Sequence, residues 1–78
     1  MTLKIISTTE VVFEGQVEAV QLPGEMGRFT VLNHHASLIS SLVSGTIEYR
    51  TADGHEGRFD VKGGIADIDN NVVSVCVY

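Results

Sequence analysis

Two histidines stand side by side at His34-His35, and they are the residues most ready for chemistry in this chain. A zinc centre needs three or four ligands. The remaining histidine is His55 and the single cysteine is Cys76, and neither lies at a zinc-motif spacing from the pair. Neighbours on a strand point to opposite faces, so two adjacent rings would rarely hold the same ion. The simpler reading leaves one ring in solvent and sets the other in packing or at an interface, with no metal ligand assigned. Nucleophilic catalysis needs a serine or cysteine beside a base and an orienting acid. Ser37, Ser40, Ser41 and Ser44 lie near His35, but no nucleophile-elbow pattern surrounds them. Cys76 sits between valines and reads as a buried, inert thiol.

Two further groups invite the same test. Asp67 and Asp69 share a face if their segment is a strand, yet an acid–base pair needs a cleft and a second strand. They read as solvated turn residues. Gly63-Gly64 lacks the lysine and following helix of a phosphate loop. It points to special backbone geometry or the close approach of a neighbouring chain. No catalytic residue and no cofactor is assigned. The segment Pro23-Gly24-Glu25-Met26-Gly27 is different in kind. Proline pre-sets the first position of a turn and glycine accepts positive φ at the second, so Pro23-Gly24 is expected to break the chain. A glycine-held loop bearing one acid and one flexible apolar side chain suits recognition of a protein surface, with Arg28 directly behind it.

These residues must be positioned by a small scaffold. The chain has 78 residues and is expected to be one domain. A chain of this size buries only about 60% of the surface that its unfolded form exposes, so a partner is a natural brace. Apolar residues make up 44%, enough for a core, and charged residues 19%, which argues against disorder. Ten acidic side chains against five basic ones give a net charge of −5. Lys4, Arg28, Arg50, Arg58 and Lys62 are scattered. That excludes the clustered cations of a nucleic-acid or anionic-membrane binder. A single cysteine fits a reducing compartment. No run of eighteen apolar residues exists to span a membrane as a helix, and no signal peptide is apparent.

The pattern along the chain is short strands. Leu3–Ser7, Glu10–Gly15, Val17–Leu22 and Arg28–Leu32 are β-branched or alternating, and Ala36–Val43 fits a strand or a short helical turn. Thr46–Thr51 and Gly57–Lys62 alternate with period two around Asp53-Gly54, the strongest hairpin signal in the chain. Ile47, Tyr49, Phe59 and Val61 would then face one core. Ile65–Ile68 and Val72–Val77 flank a second turn at Asp69-Asn70-Asn71. Turn signals every eight to twelve residues predict an all-β fold, a flattened antiparallel sandwich or barrel of about eight to ten strands. Strands such as Val72–Val77 are apolar on both faces. They belong at the centre of a sandwich or beneath a partner.

The ordered series of features resembles the N-terminal β-domain of the F-type ATP synthase epsilon subunit, called delta in mitochondria. The resemblance rests on Gly24-Glu25-Met26-Gly27, then Val31-Leu32-Asn33-His34-His35-Ala36-Ser37-Leu38 and Gly45. It continues through the hairpin TIEYRTADGHEGRFDV, Gly63-Gly64-Ile65 and the closing NVVSVCV, and so covers essentially the whole chain. Against the family pattern, Arg28-Phe29-Thr30 stands as a three-residue insertion, and His35 rather than His34 is the matching histidine.

The resemblance implies a rotor part and not a catalyst. It implies docking between the gamma subunit and the polar loops of the membrane c-ring, coupling proton or sodium flow to ATP synthesis. Gly24, Glu25, Met26, Gly27, Arg28 and His35 match the ring-facing region, and Ser7, Leu38 and Ser40 the gamma-facing side. The implied location is peripheral, on the cytoplasmic side of a bacterial inner membrane, without direct insertion. Family members continue into a C-terminal two-helix hairpin that can brake ATP hydrolysis. A chain that stops at the last strand is expected to lack that brake. The alternative reading is a lipoyl- or biotinyl-carrier domain, similar in size and acidity. It needs a lysine at a hairpin tip, where this chain has Asp53-Gly54-His55. A metal enzyme built on His34 and His35 is a third reading, and an oligonucleotide-binding barrel is disfavoured by charge and few aromatics.

Overall fold

The alternating runs become nine strands and no helix in the computed structural model, which describes residues 1–78. They are β1 (Thr2–Ile6), β2 (Val11–Gln16), β3 (Ala19–Gly24), β4 (Gly27–Leu32) and β5 (Leu38–Leu42). The rest are β6 (Gly45–Arg50), β7 (Glu56–Val61), β8 (Gly64–Asp69) and β9 (Val72–Val77). The ambiguous Ala36–Val43 segment is a strand from Leu38 onward. One continuous sheet runs β2-β1-β9-β8-β5-β3-β6-β7, with β4 on the other side of β3, and curls into a half-barrel sandwich. All pairs are antiparallel except one: β1 runs parallel to β9, from Thr2 opposite Val72 to Ile6 opposite Cys76.

The core follows from the period of two. Leu3 and Ile5 of β1, Val73 and Val75 of β9, and Ala66 and Ile68 of β8 point inward and are buried. Val20 and Leu22 of β3, Val31 of β4, Ile47 of β6 and Val61 of β7 close over them from the other layer. Each fully buried Leu, Ile or Val contributes about 1.5–3 kcal/mol, and no polar side chain is buried with them. The two ends of the curled sheet, β2 and β7, are not hydrogen-bonded to each other. Aromatics close that seam: Phe13 lies 4.5 Å from Tyr49 and 5.8 Å from Phe59, ring centroid to centroid. Tyr49 lies over Gly57, its cross-strand partner, where a Cβ would strike the ring.

Two expectations change. Pro23 and Gly24 do not form the turn; they are the last residues of β3, paired with Arg28 and Gly27. The turn is Glu25-Met26, with Gly27 taking φ 127°. Pro23 faces Arg28 one step beyond the closing pair of a two-residue hairpin, a position that needs no N–H from it on the β4 side. Its carbonyl accepts from Val43 N–H at 2.9 Å instead. Arg28, Phe29 and Thr30 are regular ladder residues opposite Pro23, Leu22 and Gln21. Cys76 is exposed rather than buried, because Val73 and Val75 take the inward side of β9 and leave even-numbered positions outside. Gly63-Gly64 does mark a close approach: a Cβ on Gly64, at φ 157°, would run into the Cys76 carbonyl of the adjoining strand.

Candidate functional site

The Glu25-Met26 tip projects from the paired strands β3 and β4. Glu25 is exposed and Met26 is 99% exposed, so the tip presents an acid and a bare apolar side chain together. The tip is nonetheless held. Glu25 N–H donates to the Ser41 carbonyl of β5 at 2.9 Å. Arg28 braces the other side: its guanidinium donates to the Thr46 carbonyl at 2.6 Å, to Glu48 at 2.8 Å and to Gln21 Oε1 at 3.3 Å.

The sequence assigned the tip and Leu38 and Ser40 to different partners, yet they form one groove. Residues Gly24 to Phe29 make one wall and Leu38 to Ser41 the other. His35 is not part of it. β4 separates it from the tip, with Glu25-Met26 before its first residue and His35 beyond its last. Ser7 lies at the C-terminal end of β1, where its hydroxyl bonds within the Ser7–Glu10 turn.

The histidine pair has a structural use. His34 adopts φ 63° in the turn after β4, and its N–H donates to Asn71 Oδ1 at 2.8 Å. Ser37 Oγ donates to Asp69 Oδ1 at 2.6 Å, and the Met1 ammonium to Asn33 Oδ1 at 2.8 Å. The bonds to Asn71 and Asp69 tie the β4–β5 loop to the β8–β9 turn, and the bond from Met1 ties it to the N-terminus. His35 keeps its ring against the Ala36 carbonyl at 2.7 Å. No group of three potential metal ligands gathers anywhere in the chain. The hairpin tips carry Ser7–Glu10, Glu25-Met26, Asp53-Gly54 and Asn70-Asn71, so no lysine stands where a carrier domain needs one. At the Asp53 tip, the Thr51 hydroxyl and then the His55 ring hold the Asp53 carboxyl below the usual carboxylate range.

Sequence reasoning missed a second surface feature. Val11 of β2 pairs with Ile6, Ile6 with Cys76, and Cys76 with Ile65, so one row crosses four strands on the outside of the sheet. Val11 is 54% exposed, Ile65 50%, and Ile39, one step away on β5, 71%. Val43 is exposed just beyond β5, and Ile39 belongs to the next row of this face, Lys4–Ser74–Asp67–Ile39, with Asp69 beyond it. The opposite outer face is unlike it. There Arg28 meets Glu48, and Arg50 lies 3.8 Å from Glu18. The two-faced apolar strands carried the signal, but register was needed to gather it into one patch. Leu38 and Ser40 occupy the other row of β5, opposite the inward-facing Ile68 and Ala66.

The β-sandwich thus presents a charged face, an opposite face crossed by an exposed apolar row, and a projecting tip. The family model for the ATP synthase delta/epsilon chain β-sandwich domain matches residues 1–78, and the chain belongs to that family. The ATP synthase epsilon chain of Campylobacter jejuni subsp. doylei is 36% identical over 75 residues, covering 96% of this chain and 58% of that protein. The Clostridium botulinum (strain Eklund 17B) epsilon chain is 32% identical, covering 94% and 54%. The chain thus spans little more than half the length of these relatives. Among solved structures, a chain of the Euglena gracilis mitochondrial ATP synthase (OSCP/F1/c-ring) superposes with a TM-score of 0.90 at 22% identity. It is covered over 48% of its length, and 96% of this chain is matched. A chain of the Tetrahymena thermophila mitochondrial ATP synthase central stalk and c-ring gives 0.82 at 12% identity, with 97% of this chain and 61% of that one covered.

Proposed function

We propose that this chain is a non-catalytic rotor module of an F-type ATP synthase central stalk, seated between the gamma subunit and the c-ring. The carrying observation is the exposed apolar row Val11–Ile6–Cys76–Ile65 with Ile39 beside it. We assign that face to gamma. Apolar surface of this kind on a small domain marks a protein interface, and the acidic border at Asp67 and Asp69 favours a basic rim on the partner. Leu38 and Ser40 alternate with Ile39 along β5 and so turn away from this face, into the groove beside the tip, whereas Ser7 follows Ile6 at the end of β1.

The ring contact is assigned to the Glu25-Met26 tip with Gly24 and Gly27. His35 is left out of it, because β4 lies between them. Proton or sodium flow turns the ring, and the sheet passes that torque to gamma. Its 48 backbone hydrogen bonds make it a stiff spacer rather than a hinge. The module would lie at the cytoplasmic side of a bacterial inner membrane as a peripheral part of the complex. Co-expression with gamma from the same source, followed by size-exclusion chromatography, tests the reading. A stable one-to-one complex supports it. A lone monomer beside folded gamma overturns it.

A further inference from the structure

The sequence grouped Arg28 with the ring-facing loop, but its guanidinium is already engaged within the chain. It reaches from β4 across Gln21 of β3 to two acceptors on β6, Thr46 O at 2.6 Å and Glu48 at 2.8 Å. This is the place where the sheet divides. β3 pairs with β6 only from Ala19 to Gln21, and with β5 only at Gly24 opposite Leu42. Between those points Leu22 has no ladder partner on that side, Pro23 is held only through its carbonyl, which accepts from Val43 N–H at 2.9 Å, and β4 pairs with β3 alone. The arm that carries Glu25-Met26 is thus tied to β5 by short backbone contacts, and to β6 by Pro23 packed over Gly45 and by the Arg28 hydrogen bonds.

We propose that Arg28 is a positioning residue, a lock that fixes the Glu25-Met26 arm to β6 without itself touching the partner. Its use in docking rests on the tip assignment made above; the lock itself does not. Arginine suits the role because its planar fork serves several acceptors at once, which an ammonium on a flexible stem does less well. The ion pair is exposed on both sides, 38% and 47%, so its effect is local order and not global stability. Arg28 also lies on the charged outer face with Glu48, away from the apolar row.

Two readouts test the lock. Amide exchange in the isolated chain follows the Glu25 N–H, which is bonded to Ser41. Arg28→Ala is expected to speed that exchange about fivefold while leaving the Val20 and Val73 amides unchanged. The charge swap Arg28→Glu with Glu48→Arg restores protection, and Arg28→Lys restores it only in part. Unchanged Glu25 exchange in Arg28→Ala overturns the proposal. In assembled ATP synthase, proton pumping driven by ATP should fall in Arg28→Ala and recover in the swap. A swap that restores tip protection but not pumping means direct contact by Arg28, which also overturns it. Glu25→Lys and Met26→Ser report separately on the tip. If those two pump normally, the ring assignment fails while the exchange result still decides the lock.

Discussion

Replacing Ile39 and Ile65 together by serine separates docking from folding. Burying a whole isoleucine side chain contributes about 1.5–3 kcal/mol. In the free chain Ile39 is still 71% exposed and Ile65 50%, so most of that gain is left for a partner to realise. Ile39 then accounts for roughly 1–2 kcal/mol of binding and Ile65 for about 1 kcal/mol. The double variant should bind gamma about 30- to 150-fold more weakly, at 1.4 kcal/mol for each factor of ten. The free chain should lose little, within about 0.5 kcal/mol per site, because neither side chain completes the core. Calorimetric titration into gamma gives the first quantity and urea unfolding the second. A dissociation constant within threefold of wild type would refute the assignment of this face. So would a variant that fails to fold, since Ile39 and Ile65 would then be core residues.

Other expectations concern the scaffold. Gly64→Ala should cost about 3 kcal/mol or more, because the new methyl meets the Cys76 carbonyl at a backbone angle that side chains rarely adopt. Urea unfolding checks this, and a loss below about 1 kcal/mol would contradict the close approach. His34→Gly should stabilise the chain by about 0.5–1 kcal/mol, since φ 63° is costly for histidine and the exposed ring gives up no packing. A lower melting temperature would count against it. Asp53 has its folded pKa depressed, so its contribution is present above the unfolded carboxylate value and is lost as pH falls through the folded one. Carbon-detected titration should place its midpoint below ordinary aspartates, with the His55 amide losing protection at the same step; Asp53→Asn should remove that step.

Local patterns reported the strands well because a half-buried strand writes its faces into alternate residues. The Asp53-Gly54 hairpin and the inward set Ile47, Tyr49, Phe59 and Val61 were readable for that reason. Pro23-Gly24 misled because proline usually opens a turn, whereas here it fills a ladder position whose β4-facing side needs no donor. The parallel pairing of β1 with β9 joins the two ends of the chain, and no short-range signal encodes it. The same limit hid the docking face. Ile6 and Val11 lie near one end of the chain and Ile65 and Cys76 near the other, and the two pairs meet only through the β1–β9 register. Cys76 looked buried because its neighbours are valines, yet alternation puts those valines, not the thiol, toward the core. The tip residues were legible as a loop, but the brace from Arg28 to β6 was not.

The most direct test of the docking account uses Cys76, the single cysteine, which lies exposed between Ile6 and Ile65 in the apolar row. Its alkylation rate by a small maleimide would be measured in the free chain and again with saturating gamma. If this face seats gamma, the thiol reacts readily alone and is strongly protected in the complex. Equal rates in a complex shown to be intact would contradict the account and move the gamma contact to another surface.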